Sequence, residues 1–311
     1  MKIQFWGVRG SLPSPITPQQ IQAKISAVIQ RLTPKDVVSP EAKEKFISSL
    51  PEWLFGTTGG NTPCLSITNK NDIQIVLDCG SGLRSYGNAL KSQNKTFHIF
   101  LSHFHWDHIQ GLPFFSKAFA PDSKLIFYTF SEDAEQILRK QMVKPYFPVT
   151  FDSFTKNVEF KVLKSGDSFN IEDFKISCCE MSHPGSSFAY SFEENGQKFV
   201  YATDVELSQK DYKQDEEHIK TFKDASAIVL DSQYTVEEAN EKVNWGHSAF
   251  CSAIDFAVFW NIKNLYLFHH EPTYDDKKLN SILTSAKWYA KYIAHSDLNV
   301  FLSTENMKID L

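Results

Sequence analysis

Three histidines and an aspartate fall within six consecutive positions of this 311-residue chain, in the stretch LSHFHWDHIQG at residues 101–111. They follow FHIFL, an apolar run that predicts a strand ending just before His103. His103 and His105 flank a single residue, so they point the same way in an extended chain. Asp107 and His108 come where the chain turns. A histidine-rich turn at the surface would account for one such histidine, but it does not account well for three histidines together with an aspartate. Because imidazole and carboxylate groups are the usual ligands of zinc and similar ions, the stretch predicts a metal site.

Further candidate ligands follow other predicted strands. His183 comes after the apolar run in ISCCEMSHP, and Asp204 comes after the one in KFVYATD. His269 and His270 end the run LYLFHH. Singly these residues are weak signals, because an aspartate at a strand end more often caps a helix. Their shared position at a strand end predicts a single cluster with the first four residues.

The rest of the sequence alternates strand-like and helix-like segments. Short apolar runs dominate after residue 60, and Asn195-Gly196 between two of them predicts a β-hairpin. Helical patterns separate or follow these runs at 131–142, 248–260 and 276–293. Strands in two blocks, each followed by helices, indicate an α/β fold with sheet packed on sheet and helices outside. The hydrophobic content of 42% is ample for a core. Without a linker long enough to divide the chain, we expect a single domain over 1–311.

Residues 13–58 differ in character and predict a helical insertion. Thr17-Pro18 and Ser39-Pro40 each place an N-cap residue before a proline at the first helical position. Apolar residues at helical spacing follow the first of these pairs: Ile21, Ile25, Val28, Ile29 and Leu32. The segment carries five basic and four acidic side chains, so it is close to neutral. Its apolar positions could pack on the core, cover a pocket or form the contact of a homodimer.

Composition and charge exclude some classes of protein. No apolar run approaches the roughly 20 residues that span a bilayer. The N-terminal MKIQFWGVRG lacks the apolar stretch of a signal peptide, so we expect a cytoplasmic protein without a membrane partner. The net charge of −5 argues against a general binder of nucleic acid polymers. Five cysteines without a CxxC spacing indicate reduced thiols rather than disulfides or a zinc knuckle.

Taken together, these motifs resemble the metallo-β-lactamase superfamily. HxHxDH, followed by a separate His, Asp and His in that order, is the metal-site signature of that superfamily. The flanking phrases are most similar to its phosphodiesterase branch, which includes cyclic-nucleotide phosphodiesterases, the phosphonate-pathway phosphodiesterase and the tRNA 3′-end processing endonucleases. These phrases are FWGVRGS, GGNTPCLSI, VLDCGSGLR, SHPGSS, YATD, NWGHS and LFHHEP. The resemblance implies a four-layer αββα sandwich, whose common core has no counterpart of the insertion.

The resemblance also implies two divalent metal ions. Their ligands would be His103, His105 and His183 for one ion, Asp107, His108 and His269 for the other, and Asp204 as a bridge between the two. His269 fits the superfamily phrase LxH better than His270 does. Zinc is the default metal for this ligand set, and manganese or iron would fit the same mixture.

The implied chemistry is attack on phosphorus by hydroxide that the metals hold. His247, in NWGHS, is similar to the superfamily histidine that protonates the leaving alkoxide, although it could instead be an ordinary helix-start residue. Asp107 and His247 are the expected catalytic residues. Four others could support the site or touch substrate, namely Asp78, Arg9, Asp231 and His270. For Asp78 and Asp231 the alternative is turn chemistry, and for Arg9 it is a surface salt bridge.

The expected function is hydrolysis of a small phosphodiester, with a cyclic nucleotide as the leading substrate, because the opening and the HHEP ending look most like the small-substrate members. A tRNA 3′-end processing endonuclease is the alternative, but it would need a basic surface to grip RNA. The near-neutral insertion does not supply one. Thioester or lactam hydrolysis fits Asp204 and His247 less well. A non-catalytic metal-binding scaffold is the remaining alternative. Every ligand position is filled in this sequence, which argues against it.

Overall fold

The computed structural model describes residues 1–311, which form two seven-stranded sheets. The strands of the first sheet are Lys2–Gly7 (β1), Cys64–Thr68 (β2), Gln74–Leu77 (β3), Thr96–Phe100 (β4), Lys124–Thr129 (β5), Val158–Val162 (β6) and Lys308–Asp310 (β14). Their order across the sheet is β14-β1-β2-β3-β4-β5-β6. The pairs from β14 to β3 are antiparallel, whereas those from β3 to β6 are parallel. The parallel strands therefore end at one common edge.

The second sheet repeats this plan. Its strands are Ser168–Ile171 (β7), Phe174–Met181 (β8), Ser187–Glu194 (β9), Gln197–Ala202 (β10), Ala227–Asp231 (β11), Asn264–Phe268 (β12) and Asn299–Leu302 (β13). Their order is β13-β12-β11-β10-β9-β8-β7. β10 to β13 are parallel and β7 to β10 are antiparallel. Each sheet thus brings several strand ends to one edge.

Ten α-helices accompany the sheets. They are Pro18–Arg31 (α1), Pro40–Ser49 (α2), Glu52–Phe55 (α3), Gly82–Ala89 (α4), Trp106–Ile109 (α5), Ala134–Lys140 (α6), Glu216–Phe222 (α7), Val236–Glu241 (α8), Phe250–Phe259 (α9) and Asp276–Tyr292 (α10). None of them has both the length and the apolar character that crossing a membrane requires.

Three apolar clusters show how the layers stack. The first joins the inner faces of both sheets, where Phe100 of β4 meets Phe192 of β9 with ring centroids 5.2 Å apart. The second joins the outer face of the second sheet to α7, α9 and α10. The third joins the outer face of the first sheet to α4 and α6. Helices therefore cover both outer faces, which confirms the predicted αββα sandwich.

Local signals in the sequence account for several of these elements. Asn195 and Gly196 have φ of 53° and 75° and connect β9 to β10, so the predicted hairpin is confirmed. The three predicted helical patterns appear as α6, α9 and α10. No apolar run in the sequence marks β7, β13 and β14, because each of these strands has four residues or fewer and carries exposed side chains.

The segment 13–58 contains α1 and α2, as expected, and also the short α3. Thr17 and Ser39 cap α1 and α2 through their side chains, and each helix has proline at its first position. Neither helix buries a single residue. Lys24 of α1 donates hydrogen bonds to Asp276 at the start of α10 and to the Gly56 carbonyl. Helix α1 is therefore tied to the end of α3 within the insertion and to α10 of the body.

Candidate metal centre

Five strands from both sheets end near one another, and each is followed by a polar side chain. Asp78 follows β3, His103 follows β4, His183 follows β8, Asp204 follows β10 and His269 follows β12. Asp78, Asp204 and His269 have φ of 57°, 45° and 62°. This left-handed conformation is uncommon for residues other than glycine and is concentrated at functional sites. It turns each side chain out of its strand as the strand ends.

All of these side chains except Asp78 join His105, Asp107 and His108 in two groups, and within each group the ligand atoms lie within 4.8 Å of one another. The first group is His103, His105, His183 and Asp204, and the second is Asp107, His108, Asp204 and His269. In the first group, His183 Nε2 lies 3.2 Å from His105 Nδ1. In the second, His108 Nε2 lies 3.3 Å from His269 Nε2. The structure therefore brings together all seven residues that the sequence suggested as ligands.

Asp204 is the residue that the two groups share. Its Oδ2 lies 3.5 Å from His103 Nε2. Its Oδ1 lies 3.1 Å from His108 Nε2 and 3.2 Å from His269 Nε2. One carboxylate oxygen thus faces each group, which is the arrangement that a bridging carboxylate requires.

Four of the histidines are oriented through the ring nitrogen that points away from the cluster. The Nδ1 partners are Asp78 Oδ2 at 2.8 Å for His108, the Gly246 carbonyl at 2.8 Å for His183, Gln233 Oε1 at 2.8 Å for His269 and Ser102 Oγ at 3.0 Å for His103. Such contacts fix the tautomer and the plane of an imidazole. They leave the Nε2 lone pairs directed at the centre of the cluster.

Asp78 is a fully buried carboxylate at the base of the site. Besides His108, it accepts hydrogen bonds from the backbone N–H and the hydroxyl of Ser102 and from the Tyr201 hydroxyl, each at 2.7 Å. A buried carboxylate is tolerated when its oxygens are hydrogen-bonded in this way. Its contact with His108 agrees with the expected role of Asp78 as support for a ligand.

The chemistry of the donor set fits divalent metal ions. His103 Nε2 is buried, yet it has no hydrogen-bond partner, and such orphaned nitrogens are rare in native interiors. Burial holds the pKa of His103 well below its usual range, so the ring is neutral and its lone pair is free to bind a cation. Burial alone would raise the pKa of Asp204, but His108 and His269 hold it well below its usual range. Asp204 is therefore ionised, and imidazole nitrogens together with carboxylate oxygens are the donors that such cations bind.

His247 stands beside the second group without belonging to it. Its ring lies against that of His269, with centroids 4.8 Å apart. Its Nδ1 donates to Asp231 Oδ2 at 2.6 Å, and Asp231 also accepts from the backbone N–H of Ser248. Burial opposes the charged ring, but the charge of Asp231 and this hydrogen bond outweigh it and raise the pKa of His247 to about 9. The imidazole can therefore carry a proton next to the metal centre.

The loop that carries His247 is held by a residue that the sequence analysis missed. The Glu206 carboxylate accepts hydrogen bonds from the backbone N–H groups of Asn244 and Gly246, each at 2.9 Å. Gly246 has φ of 89°, and a Cβ at this position would lie 2.3 Å from His183 Nδ1. Only glycine lets the loop come this close to the ligand and present its carbonyl to it.

The first loop of the chain, GVRGS, also reaches the site, but not through its arginine. The backbone N–H of Ser11 donates to Asp107 Oδ2 at 2.8 Å. The buried Arg9 guanidinium donates instead to the carbonyls of Gly59, Glu271 and Tyr274. All of these contacts tie segments of the fold together, which gives Arg9 a structural role besides the substrate contact or surface salt bridge that the sequence suggests.

His270 also lies outside the centre. Its Nε2 donates to the Ser303 carbonyl at 2.9 Å, and burial lowers its pKa to about 3. The neutral ring contacts the Ser303 carbonyl and is not among the side chains of the two groups, so the structure shows no contact by which His270 supports the cluster. Its neighbour His269 points into the cluster instead, as the LxH phrase had suggested.

Comparisons with known proteins agree with this geometry. The sequence profile of the beta-lactamase superfamily domain matches residues 74–270, well over half of the chain. The chain belongs to the beta-lactamase superfamily. This membership confirms the predicted resemblance and, with the His/Asp centre, identifies a metal-dependent hydrolase.

Three individual relatives show how far the similarity to other superfamily members extends. A ribonuclease Z from Sulfurisphaera tokodaii is 25% identical over 274 residues, which cover 72% of this chain and 88% of the relative. The short form of human tRNase Z superimposes with a TM-score of 0.62 at 18% identity, and the superposition covers 100% of this chain and 99% of the human chain. Yeast PDE1 superimposes with a TM-score of 0.62 at 13% identity, and the superposition covers 100% of this chain and 99% of the yeast chain. At these identities the structures show a shared fold.

Proposed function

We propose that this hydrolase is a phosphodiesterase with two divalent metal ions, and that it cleaves a small phosphodiester, first among them a cyclic nucleotide. The observation that carries the proposal is Asp204, whose two oxygens face two separate groups of histidines. The names of the relatives, ribonuclease Z, tRNase Z and PDE1, support the phosphodiester class. Aspartate rather than cysteine at position 204 favours phosphoesters over lactams, because oxygen donors suit the hard cations of phosphoryl chemistry.

The seven residues of the two groups would hold the ions. Five imidazoles and two carboxylates make a nitrogen-rich set, which suits zinc, and manganese or iron would also fit. Such a pair of ions would supply a nucleophile at neutral pH and neutralise the negative charge that develops on the oxygens around phosphorus. Zinc is therefore our first choice for loading the protein.

The chain's own residues supply orientation and a proton. The Ser11 N–H holds the Asp107 carboxylate in place, so that Asp107 can orient the attacking water. His247 donates its proton to the oxygen of the leaving alcohol, since its Nδ1 is bound to Asp231 and its ring lies beside His269. A group with a pKa near or above the working pH is protonated and ready for this role.

Two exposed tryptophans support a substrate that carries bases. Trp106 lies between His105 and Asp107 in the chain and is 83% exposed, and Trp245, two residues before His247, is 63% exposed. Large aromatic faces in water are natural stacking platforms for nucleic acid bases. Cyclic nucleotides and RNA both offer such bases.

Processing of tRNA 3′ ends is the second candidate, and the ribonuclease Z relatives favour it. The charge of the chain favours the small substrate, because a net charge of −5 offers little attraction to a polymer of phosphates. The two candidates share the metal centre and differ in what lies around it.

One set of assays tests the proposal. Purified protein loaded with zinc should hydrolyse bis(p-nitrophenyl) phosphate, and a chelator should abolish the activity until metal is restored. Cyclic mononucleotides and a tRNA precursor are then compared by kcat/KM under the same conditions. Turnover of the precursor alone would select the second candidate. A fully metal-loaded protein that hydrolyses none of the three substrates would overturn the proposal, leaving a metal-binding scaffold or a hydrolase of another substrate class.

A further inference from the structure

Helix α1 presents an apolar face that nothing in this chain covers. Ile21, Ile25 and Ile29 lie one turn apart along it and are 45%, 56% and 64% exposed. The helix has 14 residues and buries none of them. A helix of this length is only marginally stable in water unless its apolar face packs against something. The exposed face therefore indicates a missing partner.

The exposed face borders a groove of about 460 Å³ between α1 and α3. The apolar residues that line it are Ile16, Ile21, Ile25, Val28, Ile29, Leu54 and Phe55. The groove is firmly held, because Lys24 binds Asp276 and the Arg31 guanidinium lies over the Trp53 ring at 5.8 Å. The surface is thus preformed.

We propose that this face of the insertion is the contact with a second copy of the same chain, related by a two-fold axis. Ile21, Ile25 and Ile29 form a ridge at i, i+4 and i+8, the row that interdigitates when two helices pack in the commonest crossing geometry. In a two-fold contact each copy supplies both a ridge and a groove. The α1 ridge and the neighbouring groove meet that requirement together.

The charge of the insertion fits a second copy better than other partners. Residues 13–58 carry five basic and four acidic side chains, which leaves a net charge of +1. A nucleic acid or an anionic membrane would require a basic face. The charge is also spread thinly, since α1 contains Lys24 and Arg31 but no acid, whereas in α2 Glu41 and Glu44 are balanced by Lys43 and Lys45. The near-neutral surface therefore offers little repulsion to a second copy of itself.

The area agrees with a dimer contact of standard size. Four aliphatic side chains and Phe55, each about half exposed, present roughly 400 Å² of apolar surface, within the range of functional patches on monomers. A standard interface buries about 800 Å² per partner, somewhat more than half of it apolar. The ridge of Ile21, Ile25 and Ile29, together with Leu32 and Phe55, supplies most of that apolar area.

The experiment is analytical ultracentrifugation of the full-length, metal-loaded protein between about 1 and 100 µM, with Ile25→Lys as the test variant. Ile293→Lys is the matched control, because Ile293 is 51% exposed at the other end of α10. We expect the wild type and the control to sediment as dimers of about 71 kDa, twice the chain mass of 35.6 kDa. Ile25→Lys should dissociate at least about 100-fold more readily, because each dimer contains the change twice in the middle of the ridge.

Two measurements distinguish this result from misfolding. Ile25 is exposed and lies outside the metal centre, so the variant should keep its zinc content and its rate on bis(p-nitrophenyl) phosphate. A wild type that is monomeric over the whole range would overturn the proposal. So would an Ile25→Lys variant that dimerises as tightly as the wild type, since the contact would then lie elsewhere.

Discussion

The Nδ1 atom of His247 lies 2.6 Å from Oδ2 of Asp231, a carboxylate with no exposed surface. The two residues come from different elements, since Asp231 ends β11 and His247 precedes α9. Next to a helix start an imidazole would lose its proton more easily. Asp231 reverses that tendency and raises the pKa of His247 to about 9, although burial opposes the charge. An acid role for His247 therefore depends on this partner.

Replacing His247 with alanine should slow turnover without removing metal. General acid catalysis contributes about 10²–10⁴-fold, so we expect a loss of that size on a substrate with an alkoxide leaving group. With a p-nitrophenolate leaving group, which needs little protonation, the loss should be much smaller. Steady-state kinetics on both substrates, with metal analysis of each protein, checks this. Equal losses on the two substrates would assign His247 to binding or structure instead.

The variant Asp231→Asn should shift the pH profile rather than abolish activity. The proton on His247 is present below its pKa and is lost as the pH rises through it, so activity on a poor leaving group falls on the alkaline side. Without the carboxylate the pKa of His247 drops, and this alkaline limb should move to lower pH. The measurement is kcat against pH for both proteins. On the p-nitrophenyl substrate, the fall in kcat at alkaline pH should be weak for both proteins. An alkaline fall that stays at the same pH in Asp231→Asn on the substrate with the poor leaving group would contradict the role of His247 as the acid.

Replacing Asp78 with asparagine should weaken metal binding. Asp78 orients His108, and loss of such a supporting carboxylate typically costs about 10–100-fold in metal affinity. Competition with a chromophoric chelator measures the change. Tyr201→Phe provides a graded comparison, because it removes one hydrogen bond to Asp78 but leaves the carboxylate. We expect the metal affinity of Tyr201→Phe to lie between those of the wild type and Asp78→Asn. A metal affinity unchanged in both variants would exclude Asp78 from orienting the ligand His108.

Much of the centre could be predicted from sequence because its ligands are marked locally. His103, His105, Asp107 and His108 share one short motif, and His183, Asp204 and His269 each follow an apolar run. Strand ends converge in a sandwich of this kind, so residues that share this position along their strands also meet in space. The same reasoning explains why the two-sheet architecture was predictable from the two blocks of strands.

The supporting residues could not be found in the same way, because their roles depend on distant partners. Tyr201 lies 123 residues from the Asp78 that it contacts, and within its strand it looks like any core tyrosine. Glu206 acts on the backbone of residues about 40 positions away. Arg9 shows the converse, since a guanidinium near a glycine loop suggested a phosphate, but three carbonyls of the fold bind it. Only the packed structure distinguishes these cases.

Substituting alanine for Gly246 should damage the centre out of proportion to the size of the change. A Cβ at this position would lie 2.3 Å from His183 Nδ1, and φ is 89°, so either the loop or the ligand has to move. We expect weaker binding of one of the two ions and a loss of activity on both leaving groups. Gly196→Ala is the control, since it also has positive φ but meets no atom within 4 Å. If Gly246→Ala lost no more metal than Gly196→Ala, the close approach of Gly246 to His183 would not be needed for metal binding.

Trp106 provides the test of substrate class. If its exposed indole stacks on a base, Trp106→Ala should raise KM for nucleotide or RNA substrates by about 5–150-fold, the range that a stacking contact of about 1–3 kcal/mol gives. The rate on methyl p-nitrophenyl phosphate, which carries no base, should change little. Trp288→Ala is the matched control, because Trp288 is 55% exposed on α10, where its ring lies tilted beside that of Tyr292. Steady-state KM and kcat for each variant on each substrate decide the matter. A uniform loss of activity on all substrates would mean that Trp106 holds His105 and Asp107 in place. Unchanged KM and kcat on every substrate would mean that the indole does not contact the substrate.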